Sequence, residues 1–526
     1  MATRLSFAWG MLLACVFAKV NAAVADASNI ADVAAQGDTE KVQELLRNHV
    51  DADIPGRDGT PALHWIVRLR DPATAGQLLR AGADPDEANR YGVRPLHVAI
   101  AEHDPAMVQL LLHAHADPTL TDASGETPLM MAANGGELRI VKLLLSTKAP
   151  VDTRDLQFGQ TALMFAARAG HTDAARVLIA RGADVNAQTR AGKVPQLRTP
   201  ASNAGSKGAG IIRGGWPERG AREPVPGAKT ALLFAAREGH LETVQLLLDA
   251  GANVEQADAN GATPLIMAVL NGRIDVAQLL VKRGANVNAS DWYGETPLWA
   301  AVDLRDLDVT GPHVSDNGVD RAAAFELIRH LLEAGADANA RTREYPPERR
   351  WITTLGSLAW VDFTGQTPFL RAAYSGDIEV MELLLTHHAD PNLATFGGTT
   401  PLMAAAGVNW TYAQTFDEGP EKLLQAVKLA QSLGNDVNAF NSMGVRAVHG
   451  AANRGSDAII RFLADKGANL TVADNQGRTP VTWAQGVFLA TNPPVAKPMT
   501  VALLSELREK AKAPVVQTTS SDMAPP

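Results

Sequence analysis

Cysteine is nearly missing: Cys15 is the one thiol in 526 residues. Its isolation excludes a disulfide framework, and beyond the N-terminal segment also a cysteine-ligated zinc site and a thiol nucleophile. No apolar run approaches the roughly 20 residues that a membrane-spanning helix needs. Basic charge is in deficit as well, 48 Lys and Arg against 57 Asp and Glu, a net of -9. Nucleic-acid binding wants a basic footprint, so no nucleic-acid partner is expected. Hydrophobic residues at 46% and charged residues at 20% point to folded protein instead of a disordered chain. Length alone, at about 150 residues per domain, suggests about three or four domains.

The first segment reads as an export address. Arg4 supplies a positive n-region and Leu5 to Ala18 a short apolar h-region. Val20 and Ala22 suit cleavage before Ala23, giving a signal peptide over 1–22 and a linker over 23–28. Leu12-Leu13-Ala14-Cys15 also resembles a bacterial lipobox, which leaves a lipoprotein anchored through Cys15 as the alternative; a retained segment is a third. A mature chain without Arg4 and Lys19 carries -11 and no thiol, which suits an oxidising periplasm or exterior. No membrane-spanning segment is expected in it.

Beyond the address the chain repeats. Gly59, Gly92 and Gly125 are spaced by 33 residues, as are Gly261 and Gly294, Gly365 and Gly398, and Gly444 and Gly477. Each glycine opens a variant of one phrase, such as GETPLMMAA from Gly125, GATPLIMAV from Gly261 or GTTPLMAAA from Gly398. A leucine-rich stretch ending in Gly-Ala-Asp or Gly-Ala-Asn follows, as in LIARGADVN, LLVKRGANVN and LLEAGADAN. Such a period is the mark of a repeat architecture, because one unit cannot keep its own apolar face from water.

The phrase has a physical reading. Thr-Pro before an apolar run places a hydroxyl at the N-cap and proline at N1, where a missing N–H does no harm. It occurs at Thr127, Thr263, Thr296, Thr367, Thr400 and Thr479. Alanine pairs such as Ala132-Ala133 and Ala166-Ala167 allow close helix approach. Acidic residues (Asp173, Glu242, Asp275, Asp377, Asp457) suit the start of a second helix, and Gly182, Gly284 or Gly467 its left-handed end. Asp122, Asp258, Asp291 and Asp474 precede turn glycines by three residues, as in an Asx turn. His49, His115 and His388 occupy the slot of the helix-ending glycine, which argues for backbone geometry over metal binding.

The pattern resembles the ankyrin repeat, over roughly residues 29–510. The resemblance implies an all-α repeat solenoid of about 12 stacked units, each a helix-turn-helix plus a β-hairpin finger loop. The first unit, IADVAAQGDTEKVQELLRNHVDAD, looks like a capping repeat. The resemblance also implies that His64, His97 and His449 bond to neighbouring backbone. The second half is similar to exported ankyrin proteins of environmental bacteria.

Four insertions interrupt the period. The step from Thr161 to Thr230 is 69 residues, which places a basic finger insertion at 188–227. The step from Thr296 to Thr367 is 71, split between an inter-helix insertion at 303–320 and a finger insertion at 341–362. A fourth lies between helices at 407–421. The repeat blocks are then 29–187, 228–340 and 363–510, with a Pro/Ser/Thr-rich tail at 511–526. The finger insertions are basic and the inter-helix ones acidic. In the stack that the resemblance implies, they lie at opposite edges.

Insertions in repeat arrays often sit on the binding face. Candidate partner-binding residues are Arg213 and Trp216 in the first finger insertion, and Trp292, Tyr293 and Trp299 around one finger. Arg343, Tyr345, Arg349, Arg350 and Trp351 in the second finger insertion complete the set, because Trp, Tyr and Arg dominate interface hot spots. No zinc-protease, nucleophile-elbow or kinase motif occurs, and Gly208-x-Gly210 follows no strand. No cofactor is expected. The reading is a non-enzymatic, exported scaffold that binds a partner protein or an anionic surface polymer on its concave finger face. The rivals are a metal-dependent enzyme using Asp303, Asp306, Asp308, His313 or Glu418 from the insertions, and a structural module of an envelope complex.

Overall fold

A computed structural model describes residues 29–147, 149–192, 227–306, 320–344, 361–362, 364–409, 418–487 and 494–512. The chain forms two compact units, one of Met1–Arg190 with Asp249–Gly251 and one of Ala191–Leu248 with Ala252–Pro526. The described part of each is a run of antiparallel helix pairs, an all-α repeat solenoid. The first unit begins with Ile30–Ala35 and Thr39–Arg47 and ends with Ala162–Ala169 and Thr172–Ala180. The second runs from Ala231–Glu238 to Pro498–Lys512. First helices lie against first helices and second against second, so the stacking runs from each pair to the next.

The helices start where local chemistry says they should. Thr127, Thr263, Thr296, Thr367, Thr400 and Thr479 each accept a backbone N–H three residues on, with proline at the first helical position. At the other end Gly284 takes φ +83, and His49, His115 and His388 hold φ of 57, 69 and 65 in the equivalent slot. Those histidines are therefore backbone devices, as their alignment implied. Alanines 132, 133, 166 and 167 are buried at the helix contacts, and Leu111, Leu144, Leu178, Leu280 and Leu331 have no exposed surface. Each such leucine contributes about 1.5–3 kcal/mol of burial.

Polar groups stitch neighbours together at two levels. Below the second helices, Asn288 Nδ2 donates to Gly335 O (2.9 Å) while its Oδ1 accepts Asp337 N (2.7 Å). Asn339 repeats this with His388 O and Asp390 N, and Asn438 with Gly467 O and Asn469 N. The asparagine four residues after the helix-ending glycine of one repeat thus closes the helix end of the next. Where aspartate stands in that slot in the first unit, Asp53 and Asp86 only accept, from Asp84 N (3.0 Å) and Asp117 N (2.9 Å), while Asn186 donates to Gly251 O (3.2 Å).

At the second level, histidine Nε2–H donates across the gap: His64 to Val93 O (2.8 Å), His97 to Leu120 O (3.2 Å) and His449 to Val472 O (3.2 Å). This fixes the tautomer, because Nδ1 accepts the N-cap amide of Arg94 (3.2 Å) or Arg446 (3.0 Å). Nδ1 of His64 has no hydrogen-bond partner among the described residues, since its N-cap is Pro61, which has no N–H. Among the described residues no strand forms, and the fingers close as turns; Gly125 N and Glu126 O both bond the backbone of Asp122, at 3.1 Å each.

Burial holds the His449 imidazole down at about 4, and His64 and His97 are lowered by the same cause. An unfolded histidine gains its proton near pH 6.5, so stability is lost as the pH falls from there toward 4. His449 alone should account for about 3 kcal/mol of that loss. Urea midpoints measured between about pH 7 and 4.5 check it, with His449→Gln showing the shallower decline.

Candidate functional site

The fingers carry the first candidate surface. In each, one side chain gathers the turn: Asp122 Oδ1 accepts Ser124 N and Glu126 N (both 2.9 Å), and Asp258 Oδ1 accepts Asn260 N (2.8 Å) and Ala262 N (3.0 Å). Asp474 and Asn441 do the same, and Asp291 accepts Glu295 N (2.9 Å). Successive fingers are then tied by single backbone bonds. Leu156 N donates to Ser124 O (3.3 Å) and Arg190 N to Phe158 O (2.9 Å) in the first unit. In the second, Trp292 N reaches Asn260 O (2.7 Å), Phe396 N Thr364 O (2.8 Å), and Ser442 N Gly397 O (2.7 Å).

This geometry decides what the tips display. Tyr91, Leu156 and Phe158 are exposed on the first unit, and Phe396 and Phe440 on the second. Arginines lie over three of these rings: Arg90 over Tyr91 at 5.1 Å, Arg341 over Phe396 at 4.4 Å and Arg446 over Phe440 at 4.9 Å. The sequence reading missed all of them. The signal was an aromatic residue placed next to the turn glycine or just before the Asx residue, as in R-Y-G, Q-F-G, T-F-G-G and A-F-N.

Of the residues nominated from sequence, Trp292, Tyr293 and Arg343 come together at one finger. The Trp292 and Tyr293 rings stack edge to face at 4.9 Å, Arg343 N donates to Tyr293 O (2.7 Å), and Arg343 Nη2 to Ser290 Oγ (2.9 Å). Arg343 is exposed and Trp292 half-buried. Tyr293 and Trp299 are each only 2% exposed, so both rings are packed inside and offer a partner almost no surface. Burial, then the charges of Asp291 and Glu295, pushes the Tyr293 hydroxyl up to about 12. Arg213, Trp216, Tyr345, Arg349, Arg350 and Trp351 lie outside the described residues, as do Asp308 and His313.

The opposite helix ends, in the second unit, hold a cluster of charge. Arg371, on the helix Pro368–Ser375, replaces the Met131 or Phe165 of other repeats. Its Nε donates to Asp303 Oδ1 at 2.6 Å and its Nη2 to Asp306 O at 3.1 Å, with all three residues buried. Arg305 Nε donates to Asp377 Oδ2 (2.6 Å) and its Nη2 to Glu379 Oε2 (2.9 Å). Arg321 Nη1 donates to Arg305 O (2.5 Å), and its Nη2 contacts Asp377 Oδ2 (3.5 Å) and Glu418. Beside them opens a cleft of about 530 Å³, lined among others by Phe325, Glu326 and Lys422.

Asp303, Asp306 and Glu418, nominated as acid, base or ligand, therefore face guanidinium groups. Among the described residues no group of three or more His, Cys, Asp or Glu side chains is placed to hold a metal ion.

Helix pairs at a period of 33 residues, stacked pair on pair within each unit with turn fingers between them, define a helical-repeat protein. The family profile described as "Ankyrin repeats (3 copies)" matches residues 30–122, 101–189 and 232–310, and that described as "Ankyrin repeat" matches 364–396. Together they cover more than half of the sequence, and the chain belongs to the ankyrin-repeat family. It is 59% identical over 34 residues to an ankyrin repeat protein of Rickettsia bellii, 6% of this chain and 4% of that one. It is 29% identical over 163 residues to neurogenic locus notch homolog protein 1 of Mus musculus and of Cricetulus griseus, 31% of this chain and 5% of each of those. The chain thus spans only a twentieth or less of the length of these relatives.

Breaking the buried Arg371–Asp303 pair from one side leaves a charge without its counter-ion. Arg371→Met should lower stability by about 3–5 kcal/mol, and Arg371→Met with Asp303→Leu should recover most of it. Urea denaturation of the two variants measures the difference.

Proposed function

We propose that the protein is an exported, non-enzymatic scaffold that binds a partner protein, or an anionic surface polymer, along its finger tips and first-helix surfaces. Ankyrin repeats as a class mediate protein–protein contact, and stacked repeats give the extended surface that binding needs. The observation that carries the reading is that each unit exposes rings with arginines laid over them, Tyr91 with Arg90 on the first, and Phe396 with Arg341 and Phe440 with Arg446 on the second. Aromatic and arginine side chains give large, stiff contact area, and both are enriched among hot spots. The guanidinium groups also favour an acidic partner, in line with the basic residues of the finger insertions.

Co-purification from an envelope extract, with the full chain as bait, tests the surface. Tyr91→Ala and Phe440→Ala are expected to weaken capture at least about tenfold each without lowering the melting temperature. Removal of 188–227 and 341–362 is expected to weaken it further. Partner recovery unchanged in all of these variants would move the site off the fingers.

Export is part of the same reading, through residues 1–22 with removal before Ala23. Among the described residues no helix is long and apolar enough to cross a membrane. The intact mass of protein from the periplasm or medium should begin at Ala23. A chain retaining Met1 contradicts export by this signal, and a lipid on Cys15 makes the protein an anchored one.

A further inference from the structure

The helix Pro297–Arg305 ends at Asp306, its C-cap, where there is no solvent. Asp306 has no exposed surface, and neither of its carboxyl oxygens accepts a hydrogen bond from a described residue. Its nearest cations stand too far off to donate: Arg321 Nη1 at 3.8 Å, from the helix Arg321–Glu333, and Arg371 Nη1 at 3.9 Å, from Pro368–Ser375. Both are committed elsewhere, Arg371 to Asp303 and Arg321 to Glu418 and Asp377.

The other groups at the site are Asp303 and Arg305 on its own helix, and Tyr374 beside Arg371. Asp377 and Glu379 come from the start of Ile378–Thr386, and Glu418 from the turn before Pro420–Ser432. Arg305, Arg321 and Arg371 thus face Asp303, Asp306, Asp377, Glu379 and Glu418, of which Glu379 is largely in solvent. Among the described residues, even with Glu379 discounted, the carboxylates outnumber the guanidiniums.

Asp306 and Asp377 flank one guanidinium, Arg321 Nη1 lying 3.8 Å from Asp306 Oδ1 and its Nη2 3.5 Å from Asp377 Oδ2. As two anions they have nothing to exchange and repel in a medium that screens poorly. A hydrogen on Asp306 turns the contact into an O–H donated to Asp377, whose carboxylate also accepts from Arg305 Nε and Val380 N. We propose that one proton shared between Asp306 and Asp377 holds together the repeats built on Pro297–Arg305 and Pro368–Ser375, and that its loss at alkaline pH loosens this junction alone.

Burial holds the Asp306 carboxyl well above the usual range; Arg371 opposes this and Asp377 adds to it. A folded-state value above the unfolded one means that the folded protein binds the extra proton. The stability it confers is complete below the unfolded value and is lost as the pH rises through the folded one. Asn at 306 would imitate the protonated state, since its amide donates and carries no charge.

Hydrogen exchange of the full chain between about pH 5.5 and 9, corrected for intrinsic rates, tests this. Peptides covering 297–306 and 368–379 should lose protection about tenfold per pH unit up to the raised Asp306 value and level off above it, while the helix Pro105–His113 does not. Asp306→Asn should keep its protection throughout. The wild-type infrared spectrum serves as a second readout that needs no variant: the carbonyl band of a protonated carboxyl should be present at neutral pH and vanish over the same range. A flat exchange profile, equal loss in Pro105–His113, a variant that titrates like the wild type, or no such band overturns the proposal.

Discussion

The structure depends on contact between neighbouring repeats. A pair of helices of about eight residues each has two apolar flanks and almost no interior. Leu280 and Leu331 reach zero exposure only because another pair covers them. The alanines at the first-helix contacts let the backbones come close enough for this, and the polar stitches follow from that closeness. A carbonyl such as Val472 O comes within reach of the His449 ring only when the two units are pressed together.

That constraint sorts the polar residues. The seam histidines His64, His97 and His449 are buried, and a buried polar atom needs a partner, whereas the seam asparagines are exposed or half-buried. Asparagine at 288, 339 and 438 supplies a donor and an acceptor from one side chain. The histidines do likewise, with one ring nitrogen donating across the gap and the other accepting within its own repeat. Where Pro61 removes the amide, His64 keeps the bond to the neighbour and forgoes the local one. The inter-repeat bond is retained in all three, which fits its place in holding the stack.

The charged insertions obey the same rule from the other direction. Residues 303–320 and 407–421 look like acidic, solvated loops. Their described ends behave otherwise, because Arg371 stands in a slot that other repeats fill with Met131 or Phe165. A guanidinium placed there must be met by carboxylates, and Asp303 meets it at 2.6 Å. Asp303 and Asp306, nominated for catalysis, are thereby drawn into packing, whereas the finger tips keep aromatic side chains in the open.

Helix starts, helix ends, finger turns and the 33-residue register were settled by the sequence by itself, because each rests on bonds between residues a few positions apart. Thr367 caps its own helix, Asp122 its own turn, and Gly284 has the backbone freedom its place requires. Tertiary structure alone decided which side chains face water. Tyr293 and Trp299 read as contact residues and are packed inside, while Tyr91 and Phe440 attracted no notice and stand exposed. Arg305 finds Asp377 72 residues away, and Arg321 finds Glu418 at a separation of 97. No local spacing encodes such pairs; they exist because stacking brings distant helix ends to one place.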